Sequence, residues 1–123
     1  MSPRILVVED DSDNGEYLVR LLEETGFQTL LATTAAEAIR IARRERPDLV
    51  LMDVRLAEGD GRAAARELKA AAETAAIPIV AVTALALDGD REACLAAGCD
   101  DYLSKPFRPR ELLAKLRTLL GPR

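Results

Sequence analysis

A chain of 123 residues with 49% hydrophobic and 31% charged content has the size and balance of one globular domain with its own core. Net charge is −4, with basic residues dispersed instead of forming a stripe. Trp is absent and there are only two Phe and two Tyr, so neither a phosphate-binding surface nor base stacking marks the chain as a direct nucleic-acid binder. Histidine is absent, which removes Ser-His triads and the commonest zinc ligand, and any chemistry must run on carboxylates, hydroxyls, lysine or a bound metal.

In chain order, Arg4 to Val8 is apolar enough for a buried strand. A helix is predicted from about Asp13, where Asp13-x-x-Glu16 has the spacing of a capping box. Its stripe is Leu18, Leu21 and Leu22, and it stops before Gly26. Gln28 to Ala32 reads as strand two. Thr34-Ala-Ala-Glu37 reads as a second capping box opening a helix that must end before Pro47. Leu49 to Asp53 is apolar up to its last residue, as a strand buried on both faces requires.

Asp60-Gly61 opens an alanine-rich third helix, and Ile77-Pro78 leads into strand four, Ile79 to Val82. Helix four is predicted from about Asp88–Asp90 to Gly98, and strand five from Asp101 to Ser104. Pro109 suits the first turn of the last helix, whose Leu112, Leu113, Leu116, Leu119 and Leu120 face the sheet before Gly121-Pro122. Cys94 and Cys99 match neither a CxxC redox pair nor a zinc set and read as buried reduced thiols. No apolar run approaches a membrane span and no signal-peptide pattern opens the chain, which makes the cytosol the default compartment.

Five β/α units call for parallel strands joined by right-handed crossovers, hence an α/β three-layer sandwich. Periodicity does not set the strand order, although 2-1-3-4-5 is a common doubly wound arrangement. In a 2-1-3 arrangement, Glu9 and Asp10 after strand one and Asp53 at the end of strand three would share one pocket. Such crowding raises a carboxyl pKa, and a hard divalent cation relieves it; Mg²⁺ suits oxygen ligands best. Thr83 and Lys105 end two further strands, where a hydroxyl and an ammonium could meet a phosphate.

The segments Ile5-Leu6-Val7-Val8-Glu9-Asp10-Asp11, Leu49-Val50-Leu51-Met52-Asp53, Val80-Ala81-Val82-Thr83-Ala84 and Gly98 to Phe107 resemble, together and in order, the receiver domain of two-component response regulators. The likeness spans almost the whole chain and is greatest to stand-alone receivers and those attached to hybrid histidine kinases. It implies a flavodoxin-like (βα)5 fold with strand order 2-1-3-4-5, filling residues 1–123 as a single receiver domain. It also implies a cytoplasmic phosphorelay switch that is not a turnover enzyme. Asp53 would accept a phosphoryl group from a histidine kinase or histidine phosphotransfer protein. Mg²⁺ would be held by Asp10, Asp53 and the Arg55 backbone carbonyl, with Glu9 acting through water.

By the same resemblance Lys105, the Thr83 hydroxyl and the Ala84 backbone N–H would contact the phosphoryl group, and the Lys105-Pro106 bond would be cis. Thr83 and Tyr102 would switch the surface of helix four, strand five and helix five that meets a downstream protein. Arg55 and Leu85 sit where variation tunes phosphoryl lifetime in the family. Ala57 replaces the proline usual four residues after the acceptor. The short flanks beyond the first strand and last helix favour a complete chain over a receiver fragment of a hybrid kinase or transcription factor. A Mg²⁺-dependent phosphatase with an aspartyl nucleophile is disfavoured, since Arg55 stands where its acid/base aspartate would be.

Overall fold

The computed structural model describes residues 2–56, 58–83 and 89–121. Strands β1 (Arg4–Val8), β2 (Gln28–Ala32), β3 (Leu49–Asp53), β4 (Ile79–Thr83) and β5 (Asp101–Ser104) alternate with helices α1 (Ser12–Glu24), α2 (Ala35–Glu45), α3 (Gly61–Ala70), α4 (Asp90–Ala96) and α5 (Pro109–Leu120). All pairings are parallel and the sheet order is β2-β1-β3-β4-β5. The fold is therefore the flavodoxin-like α/β sandwich expected of the sequence.

The pleat divides the core. Ile5, Val7, Leu49, Leu51, Val80 and Val82 face Leu18 and Leu22 of α1 and Leu112 and Leu116 of α5. Their neighbours Leu6, Val8, Val50, Met52, Ile79 and Ala81 face α2 and α3 through Ala38, Ile41, Ala42, Ala64, Ala65 and Leu68, with Cys94 of α4. Every residue of β3 and β4 is buried, which explains their unbroken apolar character. Leu113, Leu119 and Leu120 pack only partly on the core. Among the described residues, no helix is long and apolar enough to cross a membrane.

Two caps differ from the sequence reading. Helix α1 starts at Ser12, and its cap is Asp11, whose Oδ1 accepts the amides of Asp13 (2.9 Å) and Asn14 (3.2 Å). Glu16 instead pairs with Arg20 one turn on. At α2 the Thr34 hydroxyl accepts the Glu37 amide as expected, but Glu37 reaches one residue further back, to the Thr33 amide at 2.7 Å. Strand β4 extends through Thr83, and α4 begins at Asp90 after Gly89 at φ 83°; part of the predicted start of α4 lies outside the described residues.

Both cysteines are buried thiols outside any disulfide. They close the end of α4, where the Cys99 amide donates to Cys94 O (3.1 Å) and the Gly98 amide to Leu95 O (3.0 Å), with Gly98 at φ 103°. Burial pushes the Cys99 thiol up to about 12, with the neighbouring Cys94 and Asp100 adding to the effect. Neither thiol should react with a disulfide reagent in the native protein at mildly alkaline pH, and both should react in denaturant, as a colorimetric thiol titration would show. Leu112→Ala, which empties a fully buried position between α5 and the sheet, should cost about 2–5 kcal/mol in urea unfolding.

Candidate functional site

The site lies outside the carboxyl ends of β1, β3 and β4, beside the point where the chain leaves β1 for one edge and returns to β3 on its other side. The Glu9 amide continues the β1–β2 ladder by donating to Ala32 O at 2.9 Å, which fixes the residue's backbone at the strand end. Asp53 is the last residue of β3 and follows the fully buried Met52. One carboxylate oxygen from each of Glu9, Asp10 and Asp53 lies within 4.8 Å of the others. Glu9 is only 3% exposed and Asp53 is also buried, whereas Asp10 reaches solvent.

Loop amides hold the two buried acids. Glu9 Oε2 accepts the Asp11 amide at 3.3 Å, and Asp53 Oδ1 accepts the Arg55 amide at 2.9 Å. The backbone around Asp53 is closely packed: a Cβ on Gly61 would stand 2.3 Å from Asp53 O and 2.8 Å from Val54 Cα, so only glycine lets α3 begin there. Gly59, at φ 93°, brings the same loop against α2, where a Cβ would meet that of Ala35 at 2.5 Å.

Lys105 closes the site. Its amide donates to Thr83 O at 2.7 Å, and its peptide bond to Pro106 is cis. Its Nζ donates to Glu9 Oε1 at 2.9 Å and lies 3.6 Å from Asp53 Oδ2. Burial and the adjoining Asp53 raise the Glu9 carboxyl above its usual range, against the opposing pull of Lys105. Burial by itself would depress the Lys105 ammonium; the hydrogen bond it donates to Glu9 and the charges of Asp53 and Glu9 outweigh it and raise the group. Beside Lys105 a cavity of about 420 Å³ opens, lined by Asn14, Tyr17, Leu18, Lys105, Pro106 and Phe107.

Glu9, Asp10, Asp53 and Lys105 are thus brought together by side-chain geometry. Thr83 is wholly buried at the end of β4, opposite Ser104 in register, and joins the group through its carbonyl on Lys105. Arg55 is exposed and contributes its amide. Tyr102 packs, half buried, against the α2–α4 side of the core. Ala84 and Leu85, like Ala57, lie outside the described residues. The direct Glu9–Lys105 pair was not anticipated; the signal in the sequence is a glutamate ending a fully buried strand, which needs a cation within reach.

A parallel sheet with a carboxylate cluster at its switch point defines an α/β domain whose crevice suits a hard cation. The family model described as the response regulator receiver domain matches residues 5–117, and the chain belongs to that family. It is 36% identical over 121 residues to the polar-differentiation response regulator DivK of Brucella anthropi, covering 98% of each chain. The receiver domain of the sensor histidine kinase PA1611 from Pseudomonas aeruginosa, which has a magnesium ion coordinated in its active-site cleft, superposes with a TM-score of 0.92. Its identity is 42% and the match covers 99% of this chain and 100% of that one. The BeF3-activated N-terminal receiver domain of Klebsiella pneumoniae RstA matches with a TM-score of 0.89 and 33% identity, over 97% and 99% of the two chains.

Receiver domains are signalling switches that take phosphoryl groups from histidine kinases or phosphotransfer proteins. The residues here fit a magnesium ion: one carboxylate oxygen from each of Glu9, Asp10 and Asp53 converges on the others, and all-oxygen donors are what a hard divalent cation takes. Mg²⁺ should raise the melting temperature in a saturable way. The double variant Asp10→Asn/Asp53→Asn should abolish that rise in the same differential scanning measurement.

Proposed function

We propose that Asp53 is the phosphoacceptor of a phosphorylation-operated switch, and that the chain works as a single receiver unit in the cytoplasm. The observation that carries this reading is the convergence of Glu9, Asp10 and Asp53 beneath the Lys105 ammonium. Asp53 Oδ1 is committed to the Arg55 amide, which leaves Oδ2, on the Lys105 side, as the nucleophile. It would attack the phosphorus of a phosphohistidine as the N–P bond breaks and the imidazole leaves. The donor histidine lies outside these 123 residues, which contain none.

A magnesium ion bound by Asp10 and Asp53, with the Arg55 carbonyl and Glu9 through water, would neutralise charge building on the phosphoryl oxygens. Lys105 would meet one of those oxygens, and the Thr83 hydroxyl and Ala84 amide would meet others. Arg55 places a guanidinium, never a proton acceptor, two residues after the nucleophile. That supports a switch over a turnover phosphatase.

The output reading assigns Thr83 and Tyr102 to the surface made by α4, β5 and α5, which would meet a downstream protein. Its support is placement: Lys105 N binds Thr83 O, and Tyr102 lies two residues before Ser104, the register partner of Thr83.

Incubation with acetyl phosphate and Mg²⁺ should add one phosphoryl group, read by intact-mass spectrometry. Asp53→Asn should show no addition; labelling that persists in this variant would overturn the assignment.

A further inference from the structure

We propose that Lys69 is a latch, at the edge of the sheet opposite the carboxylate cluster, that holds helix α4 closed over its two thiols. Without it, α4 and the turn that follows open locally while the rest of the domain stays folded. The latch is independent of the metal and phosphoacceptor readings.

Three observations carry it. First, Lys69 Nζ donates to Ile77 O at 2.8 Å and to Ala75 O at 3.3 Å and pairs with Asp100 Oδ2 at 2.9 Å, so an ammonium with three donors meets three acceptors. Those acceptors lie on two separate segments, the loop between α3 and β4 and the turn between α4 and β5. Second, Asp100 fastens the same turn to β4: its amide donates to Ile79 O at 2.7 Å, and its Oδ2 accepts the Ile79 amide at 2.8 Å. Third, the turn rests on the lysine stem, since a Cβ on Gly98 would stand 2.8 Å from Lys69 Cγ.

The segments joined in this way bury little surface of their own. The α3–β4 loop contributes Ala71, Ala72, Ala75 and Ala76, and the Thr74 hydroxyl is spent on Leu68 O at 2.6 Å. Helix α4 has seven residues, far too few to be stable alone, and Gly89 gives it no side-chain cap. Arg91, Glu92, Leu95 and Ala96 are exposed, whereas Cys94 is buried, with Ala97 and Cys99 just beyond the helix end. A helix with so little burial sits at the low end of local stability, and the end that is held is the one Lys69 reaches. Both thiols are buried there, so opening of the turn and exposure of the thiols are one event.

The Lys69 and Asp100 side chains are 21% and 37% exposed, so solvent screens their attraction. The weight of the latch falls on the charged hydrogen bonds to the two loop carbonyls.

The test is alkylation by iodoacetamide, in which a thiolate displaces iodide from carbon, followed by mass spectrometry in urea concentrations below the unfolding transition. The proteins compared are the wild type, Lys69→Met, which keeps an unbranched stem under Gly98, and Asp100→Asn. Alkylation of Lys69→Met without urea should be about ten- to a hundredfold faster than wild type, the range for loss of a charged hydrogen bond. Its rate should depend little on urea, because a local opening exposes little surface, whereas the wild-type rate should climb with urea as global unfolding requires. Asp100→Asn should show a smaller rise, since its side-chain oxygen still accepts the Ile79 amide.

Wild-type thiols alkylated as fast as those of Lys69→Met would overturn the latch, and so would a Lys69→Met rate that follows global unfolding at every urea concentration. Hydrogen exchange of the wild type is a second measurement that needs no variant. The Cys99 and Asp100 amides should exchange about tenfold or more slowly than the Ala93 amide within α4. Equal exchange at the three positions would overturn the claim that α4 is held at that end, and this measurement decides if Lys69→Met does not fold.

Discussion

The crowding of carboxylates at the ends of two buried parallel strands is the constraint on which the site depends. β1 and β3 are hydrogen-bonded neighbours covered by helices on both faces, so Glu9 and Asp53 cannot move apart without breaking the sheet. Their repulsion has to be met by a proton or a cation. Lys105 supplies the cation from the residue after β5, on the far side of β4, with its backbone held by a hydrogen bond to Thr83.

The opposite edge of the same sheet shows why this edge is reactive. Parallel strands begin with unpaired amides and end with unpaired carbonyls. Acids at the starting edge therefore find donors at once: Asp48 accepts the Arg4 amide at 2.7 Å, and Asp100 accepts the Ile79 amide at 2.8 Å while pairing with Lys69 at 2.9 Å. Lys69 in turn donates to Ile77 O, and the group is a closed structural fastening. At the finishing edge Glu9 and Asp53 accept amides of the loops that follow and meet the Lys105 ammonium, which comes from the far side of β4.

How much of this the sequence discloses depends on whether the signal is local. The unbroken apolar character of Leu49 to Asp53 and Ile79 to Thr83 announces central strands, and the acidic ends of β1 and β3 are plain once those strands are neighbours. The order itself came from family resemblance, since periodicity carries no information about which strands pair. The α1 cap was misplaced because Glu9, Asp10, Asp11 and Asp13 all have capping chemistry; the winner, Asp11, is decided by where β1 releases the chain. The Glu9–Lys105 pair joins residues 96 apart and depends on the cis Lys105–Pro106 loop path and on side-chain direction, neither of which is a pattern in the chain.

The glycines around Asp53 raise a further point about how a charge change is passed on. Gly61 allows backbone contact with Asp53 O, and Gly59 allows the loop to rest on Ala35, where Glu58 O accepts the Ala35 amide at 3.3 Å. Residues 55 and 60 are joined by an isolated bridge between these contacts. The loop is thus fastened to β3 and to α2 by packing and backbone hydrogen bonds as well as by the Arg55 amide on the Asp53 carboxylate. Phosphorylation of Asp53 Oδ2, as proposed, would meet a backbone already held from both sides. The groups beside it that respond to charge are Lys105 and Glu9, and the Lys105 amide ties that response to the end of β4. A rigid strand end beside a flexible lysine stem would pass the charge change on as displacement, because strain that the strand end cannot absorb must be taken up by the partner that can move.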